Sequence, residues 1–309
     1  GGGRPHAHVR NRGRAFGQGG DQSDGGGLTE HDLEKMKVKG TCVNLEKRYF
    51  RLTSAPDPST VRPPPVLEEA MLRLKKLWKD QEKDYEYVCD QLKAVRQDCT
   101  VQQIRDGLAV DVYETHARIA LEEGDLNEYN QCQTQLKELY ASGAPGHEME
   151  FTAYRVLYYV NMQDNQKNQD GSTEMLKMLK ALRPAQRADP AVAHALRVRQ
   201  AMAEDDYHLF FQLYEDAPNM SAYIMDLMLD KIRVKALQRV VKAYKPTIAT
   251  DFIQRILAFD SEDECFELLT VVGVKFAKSD GSLIDCKTST VDPAAWQKFK
   301  FEKEKGSLL

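Results

Sequence analysis

Residues 261–286 read SEDECFELLTVVGVKFAKSDGSLIDC. Ser261 with Glu264 three positions on is a capping-box arrangement, so a helix is predicted over 261–271. Beyond it, Val274-Lys275-Phe276 and Leu283-Ile284-Asp285-Cys286 flank the turn Ser279-Asp280-Gly281-Ser282. Two short alternating runs around an Asp-Gly turn predict a β-hairpin. A further helix is expected over 249–259, just past Pro246. Helix, helix, hairpin is the order of a winged helix, which places that domain at 246–290. The remainder, 291–309, reads as a polar tail that leaves the body.

Upstream, the apolar spacing is helical almost without break. Leu67, Met71, Leu74 and Trp78 fall on one helix face, and Tyr85, Val88, Leu92 and Val95 repeat the pattern. A third helix is expected to open with Val101, Ile104, Leu108 and Val112 and to end in the Gly124 region, a fourth from Leu126 to Leu139 and a fifth around Met149–Val160. Helices then follow near 173–183, 188–203, 205–215 and 220–244, punctuated by Pro184, Pro190 and Pro218. Gly124-Asp125-Leu126-Asn127-Glu128-Tyr129 and Glu204-Asp205-Asp206-Tyr207-His208-Leu209 both open a helix with acids suited to its dipole. They lie about 80 positions apart, or two periods of about 40, which predicts a stacked helix-pair array over 67–245. The fold class expected is therefore an all-α helical-repeat (TPR-like) superhelix followed by a C-terminal winged helix.

The first part of the chain is different. Residues 1–37 begin GGGRPHAHVRNRGRAFGQGGDQSDGGG, a Gly/Arg-rich composition predicted to be a disordered tail with at most weak RNA contact. Gly1–Arg14 has no apolar core, which argues against a signal peptide, and a start at Gly instead of Met suggests a fragment. In 38–66, Pro56, Pro58 and Pro63–Pro65 forbid a continuous helix. Leu45, Tyr49, Phe50 and Leu52 are too apolar for a free linker, so this segment is read as an extended strap on the helices, with burial of those side chains expected. A polyproline ligand is the other reading of the same prolines.

The chain of 309 residues is 42% hydrophobic and 29% charged, as soluble folded domains are, and no apolar run approaches a membrane span. No Walker loop, Gly-x-Ser-x-Gly elbow or HExxH pair occurs. Asn219-Met220-Ser221 is a sequon, relevant only in a secreted protein. The six cysteines form no CxxC pair and read as reduced thiols. His116 and His194 read as solvated or satisfied helix residues, not ligands. No catalytic residue, metal or cofactor is expected, so the chain reads as a non-enzyme.

A net charge of -4 confines any nucleic-acid affinity to a local patch. Lys231, Lys235, Arg239 and Lys242 lie at i, i+4, i+8 and i+11, with Lys245 just beyond. With Arg233 they outweigh Asp226 and Asp230. This stripe is the candidate RNA-binding surface, a plain solvated face being the other reading. Tyr244 is placed with Val234, Leu237 and Val241 on the apolar side, which leaves no aromatic platform beside the stripe.

Three ordered motifs carry a family resemblance: Gly40-Thr41-Cys42-Val43-Asn44-Leu45-Glu46-Lys47-Arg48-Tyr49 with Arg51-Leu52-Thr53-Ser54 and Val61-Arg62-Pro63; Asp84-Tyr85-Glu86-Tyr87-Val88-Cys89-Asp90-Gln91-Leu92 to Asp98; and Asn127 to Tyr140. Over about 38–290 the chain resembles the SAC/GANP/Thp family, and its Thp branch in particular, because Asn44-Leu45-Glu46 replaces the CPxxE form of the export-complex scaffolds. The resemblance implies a PCI fold and a nuclear role in mRNA export, transcription-coupled mRNA processing or nuclear RNA quality control. It also implies pairing with a second PCI-domain protein and, through that partner, with a small acidic Sem/DSS-type protein. The hairpin residues Val274, Lys275, Phe276, Leu283, Ile284 and Asp285 are the expected partner contact, their apolar alternation lying next to an edge a lone chain would leave unpaired. A PCI subunit of another assembly, such as a proteasome lid, signalosome or initiation factor, is the alternative that the strap argues against.

Overall fold

Aspartates punctuate this chain. In the computed structural model, which describes residues 38–163 and 169–306, Asp84, Asp106, Asp125, Asp189 and Asp206 each cap a helix by accepting from a backbone N–H two or three residues on. Each such cap contributes about 1 kcal/mol. The helices up to this point are α1 (Pro64–Lys79), α2 (Tyr85–Val101), α3 (Gly107–Glu122), α4 (Leu126–Ala141), α5 (Glu148–Gln163), α6 (Gln169–Ala181), α7 (Pro184–Ala188), α8 (Pro190–Glu204), α9 (Tyr207–Glu215) and α10 (Ser221–Ala243), the aspartates capping α2, α3, α4, α8 and α9. After them come β1 (Thr247–Ala249), α11 (Thr250–Ile256), α12 (Glu262–Val271), β2 (Leu283–Asp285) and α13 (Pro293–Gly306). The described chain is thus mostly helical, with little strand. The Gly/Arg-rich tail expected over 1–37 lies outside the described residues.

The chain divides into two units, Gly1–Phe151 and Thr152–Leu309. In the first, Leu67, Met71, Leu74 and Leu77 of α1 pack with Val88, Leu92, Val95 and Cys99 of α2 and with Val112 and Ile119 of α3. These are the faces legible in the apolar spacing, and each buried side chain contributes roughly 1.5–3 kcal/mol. The expected third helix begins later, because α2 runs on through Val101 and Asp106 caps a fresh start at Gly107.

Residues 38–63 lie on α2 as an ordered strap. Thr41 N donates to Pro58 O at 2.9 Å, Cys42 N to Val61 O at 2.9 Å, and Lys47 N to Gln91 Oε1 at 3.0 Å. Gln97 Nε2 reaches Phe50 O at 2.8 Å and Gln102 Nε2 reaches Arg62 O at 2.7 Å. The attachment is largely polar, and the expected burial is met only in part: Leu45 and Leu52 are half-buried and Val61 is buried, but Phe50 is 70% exposed and Tyr49 also faces outward. Backbone groups of an extended segment need partners, and the Asp and Gln side chains of α2 supply them. Gly40 sits where an added Cβ would stand 2.3 Å from Val61 O, a backbone atom. Gly40→Ala is expected to cost about 1–3 kcal/mol and to expose the strap to protease, read by limited digestion.

In the second unit, α8 packs on α9 and α9 on α10, around Val192, Val198, Phe210, Phe211, Ile224 and Met228. One local arrangement occurs in both units. Gly124 (φ 74°) precedes the cap Asp125, and Asp205 (φ 61°) precedes the cap Asp206. Asp125 N donates to Ala120 O and Asp206 N to Ala201 O, both at 2.8 Å. Matching the two caps sets Tyr129 against Phe210, both fully buried.

After α10 the pattern changes. Strand β2 pairs antiparallel with β1, Thr247 opposite Asp285 and Ala249 opposite Leu283. On its other side Phe276 bridges Ile284, with Asp285 N to Lys275 O and Ala277 N to Leu283 O both at 2.8 Å. The expected hairpin is present, but β2 is the middle strand and not an edge. Thr247–Ala249, read as the approach to a helix, is its second neighbour. Ser261 caps α12 through Glu264 N, while the Glu264 carboxylate turns to Arg233. The tail does not leave the body: α13 packs on α12 and α10, with Trp296 buried and Asp292 N bonded to Val272 O at 2.9 Å.

Candidate nucleic-acid interface

Helix α10 buries Ile224, Met228, Ile232, Ala236, Leu237 and Val240. The opposite face therefore carries its cations: Lys231, Lys235, Arg239 and Lys242 are all exposed. The acids of the helix face other tasks, since Asp226 accepts from the Tyr214 hydroxyl at 2.6 Å and Asp230 pairs with Lys300. Arg239 is partly neutralised by Asp205, whose carboxylate and carbonyl it holds. Lys245 donates to Cys286 O, which ties the end of the stripe to the end of β2.

Arg233 does not belong to this surface. It is 3% exposed, donates to Leu257 O at 3.1 Å and to Ala258 O at 2.5 Å, and stacks 4.0 Å over the Phe259 ring. Its charge fastens α10 to the loop between α11 and α12.

Tyr244 is the residue that sequence reasoning misplaced. Helix α10 ends at Ala243, so Tyr244 leaves the helical face in an extended conformation. It is 45% exposed and lies beside Phe252 at 6.1 Å between ring centroids. An exposed aromatic thus does stand at the end of the basic stripe. Beside Lys235 and Arg239 opens a cleft of about 190 Å³, lined also by Arg199, Tyr207, Phe210 and Ile232. The Arg199 Nε is buried and without a hydrogen-bond partner. Asp205 and Asp206 border the cleft too, one holding Arg239 and the other capping α9. Burial, with Tyr244 and Asp206 nearby, pushes the Tyr207 hydroxyl up, so it stays neutral. No spacing rule links Arg199 to the stripe, because α8 and α10 meet only through folding.

At the second expected surface, Val274 and Ile284 are buried in the small sheet's own core. Phe276 rests 5.4 Å from Phe266. Leu283 and Asp285 are half-buried and Lys275 is exposed. The Thr288 hydroxyl, with the Lys287 and Thr288 backbone N–H groups, holds the Asp285 carboxyl below the usual range. The Lys275 backbone is fully engaged, its N–H with Ser289 Oγ at 2.8 Å and its carbonyl with Asp285 N. Proline at Lys275 or Asp285 would therefore break the sheet from within and report nothing about a partner.

Compared with known families, residues 30–278 match the SAC3/GANP family. The chain belongs to that family. Among its SAC3/GANP relatives, a THP3 homolog of Schizosaccharomyces pombe is 47% identical over 257 residues, covering 83% of this chain and 63% of the yeast protein. A leukocyte receptor cluster member 8 homolog of Xenopus laevis is 46% identical over 258 residues, covering 84% of this chain and 31% of the frog protein. Protein THP3 of Saccharomyces cerevisiae is 32% identical over 246 residues, covering 76% and 50%. The chain spans less than two thirds of the length of each of these relatives. No helix among the described residues is long and apolar enough to cross a membrane.

Proposed function

We propose that this SAC3/GANP chain is a non-enzymatic nuclear scaffold that pairs with a second PCI-domain protein and contacts RNA in mRNA export, processing or quality control. On this reading 67–245 is a helical-repeat array, β1 to β2 is a winged helix, and a small acidic Sem/DSS-type protein joins through the partner. The observation that carries it is the basic face of α10, which runs into the small sheet domain and ends on exposed Tyr244. Cations that track phosphates beside an aromatic on which a base can stack are the elements of a single-strand surface. Outward-facing Lys275, with half-buried Phe276 beside it, carries the partner contact, since Val274 and Ile284 are spent internally.

Two measurements test this. Fluorescence anisotropy with a single-stranded RNA should show salt-sensitive binding that strengthens when the partner is added. Tyr244→Ala should weaken it by about 1–3 kcal/mol, the worth of one stacked base, with the circular dichroism unchanged. Lys275→Glu with Phe276→Ala should abolish co-purification of the partner from nuclear extract. Recovery of proteasome-lid, signalosome or initiation-factor subunits instead would assign the chain to one of those assemblies.

A further inference from the structure

Four consecutive residues of the strap, Arg48-Tyr49-Phe50-Arg51, all face outward. Their main chain is nonetheless fixed. Lys47 N donates to Gln91 Oε1 at 3.0 Å, Tyr49 N to Asp90 Oδ1 at 3.3 Å, and Gln97 Nε2 to Phe50 O at 2.8 Å. Helix α2 thus holds the backbone and leaves the side chains to solvent. Phe50 is 70% exposed and Tyr49 38%. A single exposed ring is ordinary at a protein surface. Two adjacent rings on a pinned segment, bracketed by two guanidiniums, are not explained by packing. Among the described residues neither ring has an aromatic partner, and neither Arg48 nor Arg51 has a hydrogen bond or an ion pair.

The acids around this stretch are engaged with other groups. Glu46 takes Arg73 Nη2 at 3.3 Å and the Tyr87 hydroxyl at 2.5 Å. Asp90 accepts from the Tyr49 backbone, and Asp98 holds Lys47 and Arg62. The two arginines therefore present positive charge that no contacting carboxylate cancels. A ligand that suits them is anionic, and one that suits the rings has flat faces. Guanidinium forks match phosphate oxygens, and exposed aromatic rings stack on bases. An acidic peptide satisfies the arginines but gives the rings nothing to stack on, and a duplex hides its base faces. Residues 48–51 span at most roughly 10 Å, the length of two or three nucleotides of a stacked strand at roughly 3.4 Å each. A backbone already pinned also lowers the entropy lost on binding.

We propose that Arg48, Tyr49, Phe50 and Arg51 form a second RNA contact, which stacks two or three nucleotides of a single strand on the rings and holds the flanking phosphates with the arginines. It rests on the reading of the chain as an RNA-binding protein, but not on the α10 face as the site.

The test irradiates the full chain with a 5-bromouridine-substituted single-stranded RNA and reads the labelled peptides by mass spectrometry. Label is expected on the peptide that carries Tyr49 and Phe50, and it should persist there when Lys231, Lys235 and Lys242 are all changed to Glu. In that background the remaining affinity, followed by anisotropy, is the strap's. Phe50→Ala should then weaken it about 5- to 150-fold, the worth of one stacked base. Arg48→Glu with Arg51→Glu should lower the salt slope by about 1.4, or about 0.7 per phosphate. All these side chains are exposed, so unchanged circular dichroism is expected throughout. Label on the Tyr244 peptide alone overturns the proposal and leaves the α10 reading standing, whereas label on the strap alone supports it and removes that reading. No label on either peptide overturns both. Unchanged affinity in Phe50→Ala and in the double reversal overturns the proposal even where the strap is labelled. So does loss of a co-purifying protein with RNA binding intact, which makes these residues a protein interface.

Discussion

Replacing Asp98 with alanine lowers the stability of the first unit by roughly 3–5 kcal/mol, the cost of stripping a buried cation of its partner. Asp98 is fully buried on α2. Its Oδ2 accepts from Arg62 Nε at 2.7 Å and its Oδ1 from Lys47 Nζ at 2.6 Å. Lys47 can swing to solvent, since its side chain is 21% exposed, but Arg62 at 0% cannot. Arg62 also donates to Leu45 O at 2.9 Å, so one guanidinium pins two turns of the strap. The variant should lose stability to urea and release residues 41–58 to protease together. Replacing Arg62 by Met and Asp98 by Leu at once should recover most of the stability, because an apolar pair of similar volume leaves no buried charge. A single Asp98→Ala with an unchanged midpoint would show that the buried ion pair contributes nothing to the stability of this unit.

How much of this was legible beforehand depends on the kind of signal. Helix faces such as Leu67–Met71–Leu74 were readable because burial repeats with the helix period. The cap at Ser261 was readable because capping is local chemistry. Strand β1 was hidden: three residues after Pro246 carry no alternation long enough to see, and only the pairing with Leu283–Asp285 makes them a strand. Helix α13 was hidden by its lysines and glutamates, since one buried Trp296 supplies much of its attachment. The basic stripe was legible as helical spacing, yet Arg233, counted with it in the local charge balance, turns inward. Periodicity assigns a face only to within a residue or so. Tyr244 was placed wrongly because the helix stops one residue before it. His116 was read as an unremarkable helix residue, and nothing in a single helix could show that its nitrogens meet no partner.

Reversing Lys231, Lys235 and Lys242 to Glu weakens RNA binding by the assembled complex at least tenfold at low salt and flattens its salt dependence. Each phosphate contact on a single strand contributes a slope of about 0.7, so three lost contacts remove about 2. Arg239 is left in place because it holds Asp205, and its loss would disturb the junction of α8 and α9. The three lysines are exposed on one face of a helix whose other face fills the core, so the core itself is left intact. The same reversal at Lys76, Lys79 and Lys83, exposed at the end of α1 and beyond, alters net charge equally at a place far along the chain. If long-range charge alone governs affinity, both triple variants weaken binding alike. If the α10 face holds the phosphates, only the first does, and its slope falls while that of the other stays. Loss of the partner in the first variant would instead make the stripe a protein interface, and no change in either quantity would make it a solvated face.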